Sequence, residues 1–172
     1  QVEEIEKRRA QLTDNINKET FMEIVRELEK NTALGYKLYA YAGLFFSEDT
    51  QNQEAQNLMA KVEQFVAEMS NRILFFNLWW KALPEEKAQP LIEASGDLAY
   101  WLEAMRLFIP HTLSEAEEKI INTKNVTGQS ALQMVYSSLT NRYVFKLVVD
   151  GKEKEMTRGE LMMYVRQADP DI

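Results

Sequence analysis

Cysteine is absent from this chain of 172 residues. The absence excludes a disulfide framework and a thiolate nucleophile, and it removes the usual ligands of a structural zinc site. A chain without cysteine suits a reducing compartment, so we expect a cytoplasmic location. Glycine and proline are also scarce, at 6 and 4 residues, which argues against long flexible linkers.

Histidine occurs once, as His111. Zinc hydrolases of the His-Glu-x-x-His type need two imidazoles on one helix, and a four-helix di-iron site needs Glu-x-x-His on two helices. The sequence contains neither motif. His111 could act as the base of a Ser-His-Asp triad, but no nucleophile elbow or comparable context supports that role. We therefore interpret it as a structural or surface histidine, and we predict no catalytic, cofactor-binding or metal-binding residue in this chain.

Basic residues are in the minority, because 20 Lys and Arg stand against 27 Asp and Glu and give a net charge of -7. Nucleic-acid phosphates require a concentrated basic surface, so we predict no nucleic-acid partner. The most apolar segment, Ile73 to Leu83, is too short to span a bilayer and contains Asn77 and Lys81. We predict no membrane insertion. Adjacent carboxylates such as Glu85 and Glu86 splay apart on a helix and are interpreted as solvated surface.

Helical periodicity of the apolar residues extends over most of the sequence. The composition is 45% hydrophobic and 27% charged. Apolar spacing predicts helices over Val2 to Ala10, Glu19 to Lys30, Thr32 to about Phe46, Gln51 to about Leu83, Gly96 to Phe108 and Thr127 to Tyr136, with a short helix restarting at Leu83-Pro84-Glu85-Glu86. Asp14 or Asn17 is expected to cap the helix that begins at Glu19, and Thr50 the helix that begins at Gln51. The spacing of Ser114 with Glu117, and of Thr157 with Glu160, predicts two capping boxes.

Aromatic and large apolar residues at helical spacing predict the core. We assign to it Tyr36, Tyr39, Tyr41, Phe45, Phe46, Phe75, Phe76, Trp79 and Trp80, and we expect Leu98, Trp101, Leu102, Met105 and Leu107 to face inward. Stacking of the aromatic residues on a peptide or an aromatic ligand is the alternative. Neighbours such as Trp79 and Trp80 point about 100° apart, so both are covered only if their helix is surrounded or meets another domain.

A β-hairpin is predicted near the end of the chain. Residues Tyr143 to Val149 alternate in polarity, Asp150-Gly151 suits a type I′ turn, and Lys152 to Met156 would return antiparallel. The predicted fold class is therefore mainly α, a multi-helix bundle with one small hairpin near the C-terminus. We expect a single domain over residues 1–172, in which residues 143–172 form the hairpin and a following helix.

Four stretches carry a resemblance to a known family: YKLYAYAGLFFSEDTQNQEAQ, LSEAEEKI, TGQSALQMVYSSLTNRYVF and KLVVDGKEKEMTRGEL. From about Glu19 to Ile172 the chain resembles the amino-terminal helical domain of M3 metallopeptidases of the oligoendopeptidase F type. The resemblance implies a helical wall or lid over a larger C-terminal catalytic domain, with zinc at the bottom of a channel that admits short peptides. No zinc ligand, catalytic glutamate or transition-state-stabilising residue of the family maps onto this chain.

Both ends favour a piece of a longer peptidase. The chain opens on Gln1 within a helical pattern, and it stops at Asp169-Pro170-Asp171-Ile172, a turn that would lead into a further element. The expected partner is then the missing C-terminal catalytic domain, with short peptides as substrates and zinc as cofactor of the full-length parent. A stand-alone helical interaction module is the alternative. A bare apolar patch near Trp79, Trp80 or the hairpin would favour the longer peptidase.

Overall fold

Helices dominate the computed structural model, which describes residues 2–166. The elements are α1 (Val2–Lys7), α2 (Lys18–Glu48), α3 (Gln53–Ala82), α4 (Glu85–Glu93), α5 (Ala99–Arg106), α6 (Glu115–Asn125), α7 (Ala131–Thr140), β1 (Phe145–Val149), β2 (Lys152–Met156) and α8 (Arg158–Val165). Short 3-10 turns lie at Arg8–Gln11, Gly96–Leu98 and Ile109–His111, and a π-helical turn at Val126–Ser130 joins α6 to α7. The predicted fold class is confirmed. The predicted turn at residues 169–172 lies outside the described residues.

The long helix α2 corrects the prediction of two helices, over Glu19 to Lys30 and Thr32 to Phe46. It runs without a break for 31 residues, or about 46 Å. Asn31 and Thr32 favour helix only weakly, but neither removes a backbone donor as proline does, so the chain continues through them. Asn17 caps its start, as predicted, by accepting a hydrogen bond from the Thr20 amide at 2.8 Å.

The start of α3 corrects a second prediction, because Asn52 rather than Thr50 is the cap. The Asn52 side chain accepts hydrogen bonds from the amides of Glu54 and Ala55 at 2.8 and 3.2 Å. Thr50 is buried in the preceding turn instead, where its carbonyl accepts a hydrogen bond from Gln56 at 2.7 Å. Side chains at the start of α3 thereby fix the turn between α2 and α3.

The larger core lies where α1, the first half of α2, the second half of α3, α4 and α5 meet. Its buried members are Ile5, Phe21, Ile24, Val25, Leu28, Phe75, Phe76, Trp80, Leu83, Ala88, Leu91, Ile92 and Leu102. Trp80 is central, because its indole N–H donates to the Leu102 carbonyl at 2.9 Å and its ring lies 5.2 Å from that of Phe21. Arg106 closes the end of α3 by donating to the carbonyls of Trp80 and Leu83 at 2.6 and 2.9 Å.

A smaller core joins the other ends of the two long helices. Ala42, Met59 and Val62 are buried there, with Phe46 and Met134 packed against them among the partly buried residues. Polar contacts reinforce this end. The side-chain amide of Gln51 donates to the Ser138 carbonyl at 2.9 Å, and the Arg142 guanidinium donates to the side-chain oxygen of Gln51 at 2.7 Å. The chain is thus packed at both ends of the α2 and α3 pair.

The hairpin and both capping boxes agree with the sequence. Phe145 pairs with Met156 and Val149 with Lys152, and Asp150 and Gly151 both have positive φ, at 54° and 73°, as a type I′ turn requires. Ser114 with Glu117 and Thr157 with Glu160 form the two reciprocal capping boxes. Val149 and Met156 are buried, and α8 contacts both strands of the hairpin. Arg158 connects this unit to α7 by donating to the Tyr136 hydroxyl at 2.8 Å.

The predicted core is only partly right. Phe75, Phe76, Trp80 and Leu102 are buried, and Phe45, Phe46, Trp79, Leu98 and Met105 are partly buried. Tyr36, Tyr39, Tyr41, Trp101 and Leu107 are exposed, against the prediction. Helical spacing identifies one face of a helix but not whether another element covers it, and these residues have no such cover among the described residues. No helix in residues 2–166 combines the length and the apolar character needed to cross a bilayer.

Candidate functional site

His111 lies on the surface, in the 3-10 turn that follows α5. Its amide donates to the Phe108 carbonyl at 3.0 Å, a bond that belongs to the turn itself. Across residues 2–166, no group of three or more histidine, aspartate and glutamate side chains is arranged to hold a metal ion. Glu85, of the adjacent carboxylates singled out above, is paired with Arg106 at 2.9 Å. The features that stand out in the described residues are two apolar surfaces.

The first surface, here called the tyrosine groove, runs between the middle of α2 and the middle of α3. It encloses about 730 Å³ and is lined by Val2, Glu3, Asn31, Thr32, Leu34, Gly35, Tyr36, Leu38, Tyr39, Phe65, Val66, Met69, Ser70, Arg72 and Ile73. Its walls are mainly apolar and aromatic, and its polar atoms come largely from amide and hydroxyl side chains. Grooves of a few hundred Å³ with this lining are typical of binding sites for small ligands and peptide segments.

The groove lies between the two core clusters that join the long helices at their ends. Residues 36–41 are all exposed, and six consecutive residues cover more than one and a half turns, so α2 is open to solvent around much of its circumference there. Between residues 31 and 47 the only charged side chain is Lys37. A helical segment that is apolar around its whole circumference is normally covered. This stretch therefore presents surface that suits a further binding partner.

Electrostatically the groove is close to neutral. Of its lining residues only Glu3 and Arg72 carry charge. Arg72 is paired with Glu6, whose carboxylate accepts from the Arg72 Nε at 2.8 Å and also from a terminal guanidinium nitrogen. The hydrogen bond from Arg72 lowers the pKa of Glu6, so this carboxylate stays ionised and balances the guanidinium. The groove therefore offers little attraction to an anionic ligand.

The second surface, here called the aliphatic stripe, lies on α7. Leu132, Val135, Tyr136 and Leu139 follow the spacing of one helical face, and they are 71%, 55%, 48% and 49% exposed. Further exposed apolar residues precede it along the chain: Tyr100, Trp101, Leu107, Phe108, Ile109, Leu113, Ile120 and Ile121. Exposed patches of this kind mark interfaces with other proteins or domains.

The total accessible surface agrees with the presence of uncovered interfaces. It amounts to 11702 Å², whereas a compact monomer of 20.1 kDa exposes about 8,700 Å². The bare patch expected near Trp79 and Trp80 is not found, because Trp80 is buried and Trp79 partly so. At the hairpin it is found in part, since Tyr143, Val144 and Val148 are exposed.

The stripe was not predicted as a site from the sequence, and the groove tyrosines Tyr36 and Tyr39 were assigned to the core, with stacking on a peptide or an aromatic ligand as the alternative. For α2 the signal was the long stretch with only Lys37 charged, which periodicity alone assigned to the core. For α7 it was the four-residue apolar pattern, which marks a face but not its partner.

Comparison with protein families matches residues 79–145 to the family described as Oligopeptidase F, which is the N-terminal family of the M3 peptidases. The predicted resemblance is confirmed over those residues, which reach from the end of α3 to the first residue of β1 and include the whole aliphatic stripe. Comparisons with curated proteins and with solved structures gave no match.

Proposed function

We propose, from the match of residues 79–145 to the N-terminal family of oligopeptidase F, that this chain is the non-catalytic N-terminal domain of a zinc-dependent oligoendopeptidase. In this proposal the chain is one domain, its partner is a C-terminal catalytic domain, and zinc and the hydrolytic residues belong to that second domain. The parent enzyme cleaves short peptides in the cytoplasm. The chain itself supplies a wall that restricts access to the channel.

The observation that carries the proposal is the position of the aliphatic stripe within the family-matched segment. Leu132, Val135 and Leu139 lie on one face of α7 and are exposed, although α7 packs its opposite side through Met134. An aliphatic face of this kind resembles half of a permanent interface. A permanently attached catalytic domain accounts for it directly.

The length and packing of the two long helices support the proposed restriction of access. Helices α2 and α3 are each about 45 Å long and are packed together at both ends. A paired, doubly anchored wall of this length resists the bending that a folded substrate would need in order to pass it, whereas an extended peptide needs much less width. Short unstructured peptides are therefore the proposed substrates.

The first test is to sequence the source gene downstream of the Ile172 codon in the same reading frame. Continuation into a domain with His-Glu-x-x-His and a later glutamate supports the proposal. A stop codon soon after Ile172 contradicts it and favours the stand-alone interaction module, which the exposed stripe would also suit.

The second test uses the full-length protein and a nested series of fluorogenic peptides of increasing length. Zinc-dependent cleavage that falls off sharply with length or with folding of the substrate supports the proposal. Equal cleavage of a folded protein and of its unfolded form contradicts the restriction of access.

A further inference from the structure

The tyrosine groove differs in composition from the aliphatic stripe, and the difference indicates different occupants. Tyr36 and Tyr39 line the groove beside Asn31, Thr32 and Ser70. Tyrosine combines a large contact area with a hydroxyl that stays hydrated when its partner leaves, and it recurs in surfaces that bind and release ligands. In the stripe the one tyrosine hydroxyl, that of Tyr136, already accepts a hydrogen bond from Arg158 at 2.8 Å, and the other side chains are aliphatic. The stripe therefore suits a permanent neighbour, and the groove suits an exchangeable one.

The charged residues of the groove indicate which ligand side chains it can bind. The groove has a single balanced guanidinium and one carboxylate on its border, within a chain of net charge -7. A negatively charged ligand side chain would lose hydration without gaining a counter-ion there, which is costly, because Arg72 is already paired with Glu6. An uncharged apolar side chain loses nothing comparable and gains contacts with Leu34, Leu38 and Phe65. The amide and hydroxyl groups of the lining can meanwhile satisfy main-chain donors and acceptors.

We propose that the tyrosine groove binds an extended peptide through two or three of its uncharged apolar side chains, and that it thereby selects among substrates before they reach the catalytic domain. The inference rests on the proposed function for its biological meaning. Its physical basis is this chain alone: a groove of about 730 Å³ between two long helices, neutral and lined with tyrosine. The groove lies outside the family-matched residues 79–145, so it is a feature of this chain beyond that match.

Gly35 allows a selective test, because it lines the groove and a Cβ placed on it would meet nothing within 4 Å. The substitution Gly35→Leu puts a side chain into the groove without a backbone clash. Gly43 is the matched control, since it lies two turns further along α2, also has open space at its Cβ and does not line the groove. Both substitutions replace a helical glycine by a better helix former, so neither should prevent folding.

The experiment is isothermal titration of the 172-residue chain with a blocked hexapeptide of alternating leucine and glycine. The matched probe has its leucines replaced by glutamates. We expect saturable binding of the leucine peptide with a Kd below about 1 mM and at least tenfold weaker binding of the glutamate peptide. Gly35→Leu should weaken binding of the leucine peptide at least tenfold, and Gly43→Leu should leave the Kd of that peptide within about twofold of the unsubstituted chain.

Three outcomes overturn the inference. They are no saturable binding by 1 mM, equal effects of Gly35→Leu and Gly43→Leu, and a dimer in sedimentation that Gly35→Leu dissociates, which would assign the groove to a second copy of the chain. Failure of the proposed function is read separately, from the reading frame after Ile172. If the chain binds the peptide but its reading frame does not continue into a peptidase domain, the inference about the groove stands and the proposed function fails.

Discussion

At the scale of single residues, the adjacent tryptophans of α3 have opposite polar environments. The Trp80 indole N–H donates to Leu102, whereas the Trp79 indole N–H is buried without an acceptor among the described residues. We expect Trp80→Phe to cost at least about 2 kcal/mol, because it leaves a void and removes the buried hydrogen bond to the Leu102 carbonyl. Trp79→Phe removes an unpaired donor and should cost less than about 1.5 kcal/mol. Urea unfolding of both variants checks this order, and the reverse order would contradict it.

A second residue-scale prediction concerns acid stability. The Glu115 carboxylate accepts from Lys119 at 2.6 Å and from Arg9 at 3.0 Å, and these hydrogen bonds lower its pKa. A carboxyl whose pKa is lower in the folded state contributes stability that is present above its unfolded pKa and lost as pH falls through the folded value. Because the site is partly exposed to solvent, its contribution is below about 1 kcal/mol.

Glu115→Gln should therefore lower the free energy of unfolding at pH 7 and make little difference near pH 2. The measurement is urea unfolding across that range, at low ionic strength and in 1 M salt, where the effect should shrink. Glu103→Gln is the control, because Glu103 is exposed and forms no ion pair among residues 2–166. An effect of Glu115→Gln that persists unchanged at pH 2 would show that the ion pairs are not its cause.

At the scale of elements, two glycines occupy opposite backbone environments. Gly43 is helical with open space at its Cβ, so Gly43→Ala should stabilise the protein by about 0.5–1 kcal/mol. Gly151 has a φ of 73° in the hairpin turn, so Gly151→Ala should destabilise the hairpin by about 1–2 kcal/mol. Thermal unfolding checks the first substitution, and hydrogen exchange of the β1 and β2 amides checks the second. Equal signs for the two would contradict the assignment of the turn.

The same elements show what sequence reasoning could and could not predict. Local signals succeeded: the Asp150-Gly151 turn, the two capping boxes and the cap at Asn17 each depend on residues within a few positions of one another. The predicted break between two helices near Asn31 was wrong, because weak helix propensity there is outweighed by packing at both ends of α2. The predicted burial of Tyr36 and Leu107 was also wrong, since cover by another element is a property of the tertiary structure that one helix does not encode.

At the scale of the whole molecule, the aliphatic stripe should act in assembly rather than in folding. Val135 is 55% exposed, so Val135→Asp should change the stability of this chain by no more than about 0.5 kcal/mol. In the full-length protein the same substitution should weaken the attachment of the domain, because it buries a charge in the proposed interface. Limited proteolysis of the full-length protein measures that attachment. Lys124→Asp, on the preceding helix at another exposed position, serves as the control.

Two regions of the molecule should form at different stages of folding. The hairpin and α8 are held by partners close in sequence, and a hairpin forms within about 1–10 μs. The turn between α2 and α3 is instead held to α7 by bonds such as Gln51 to Ser138, which span 87 positions. Closing so long a loop loses more chain entropy than closing a short one. The hairpin should thus form early in folding. The contacts of Gln51 with α7 should form late and limit the observed folding rate.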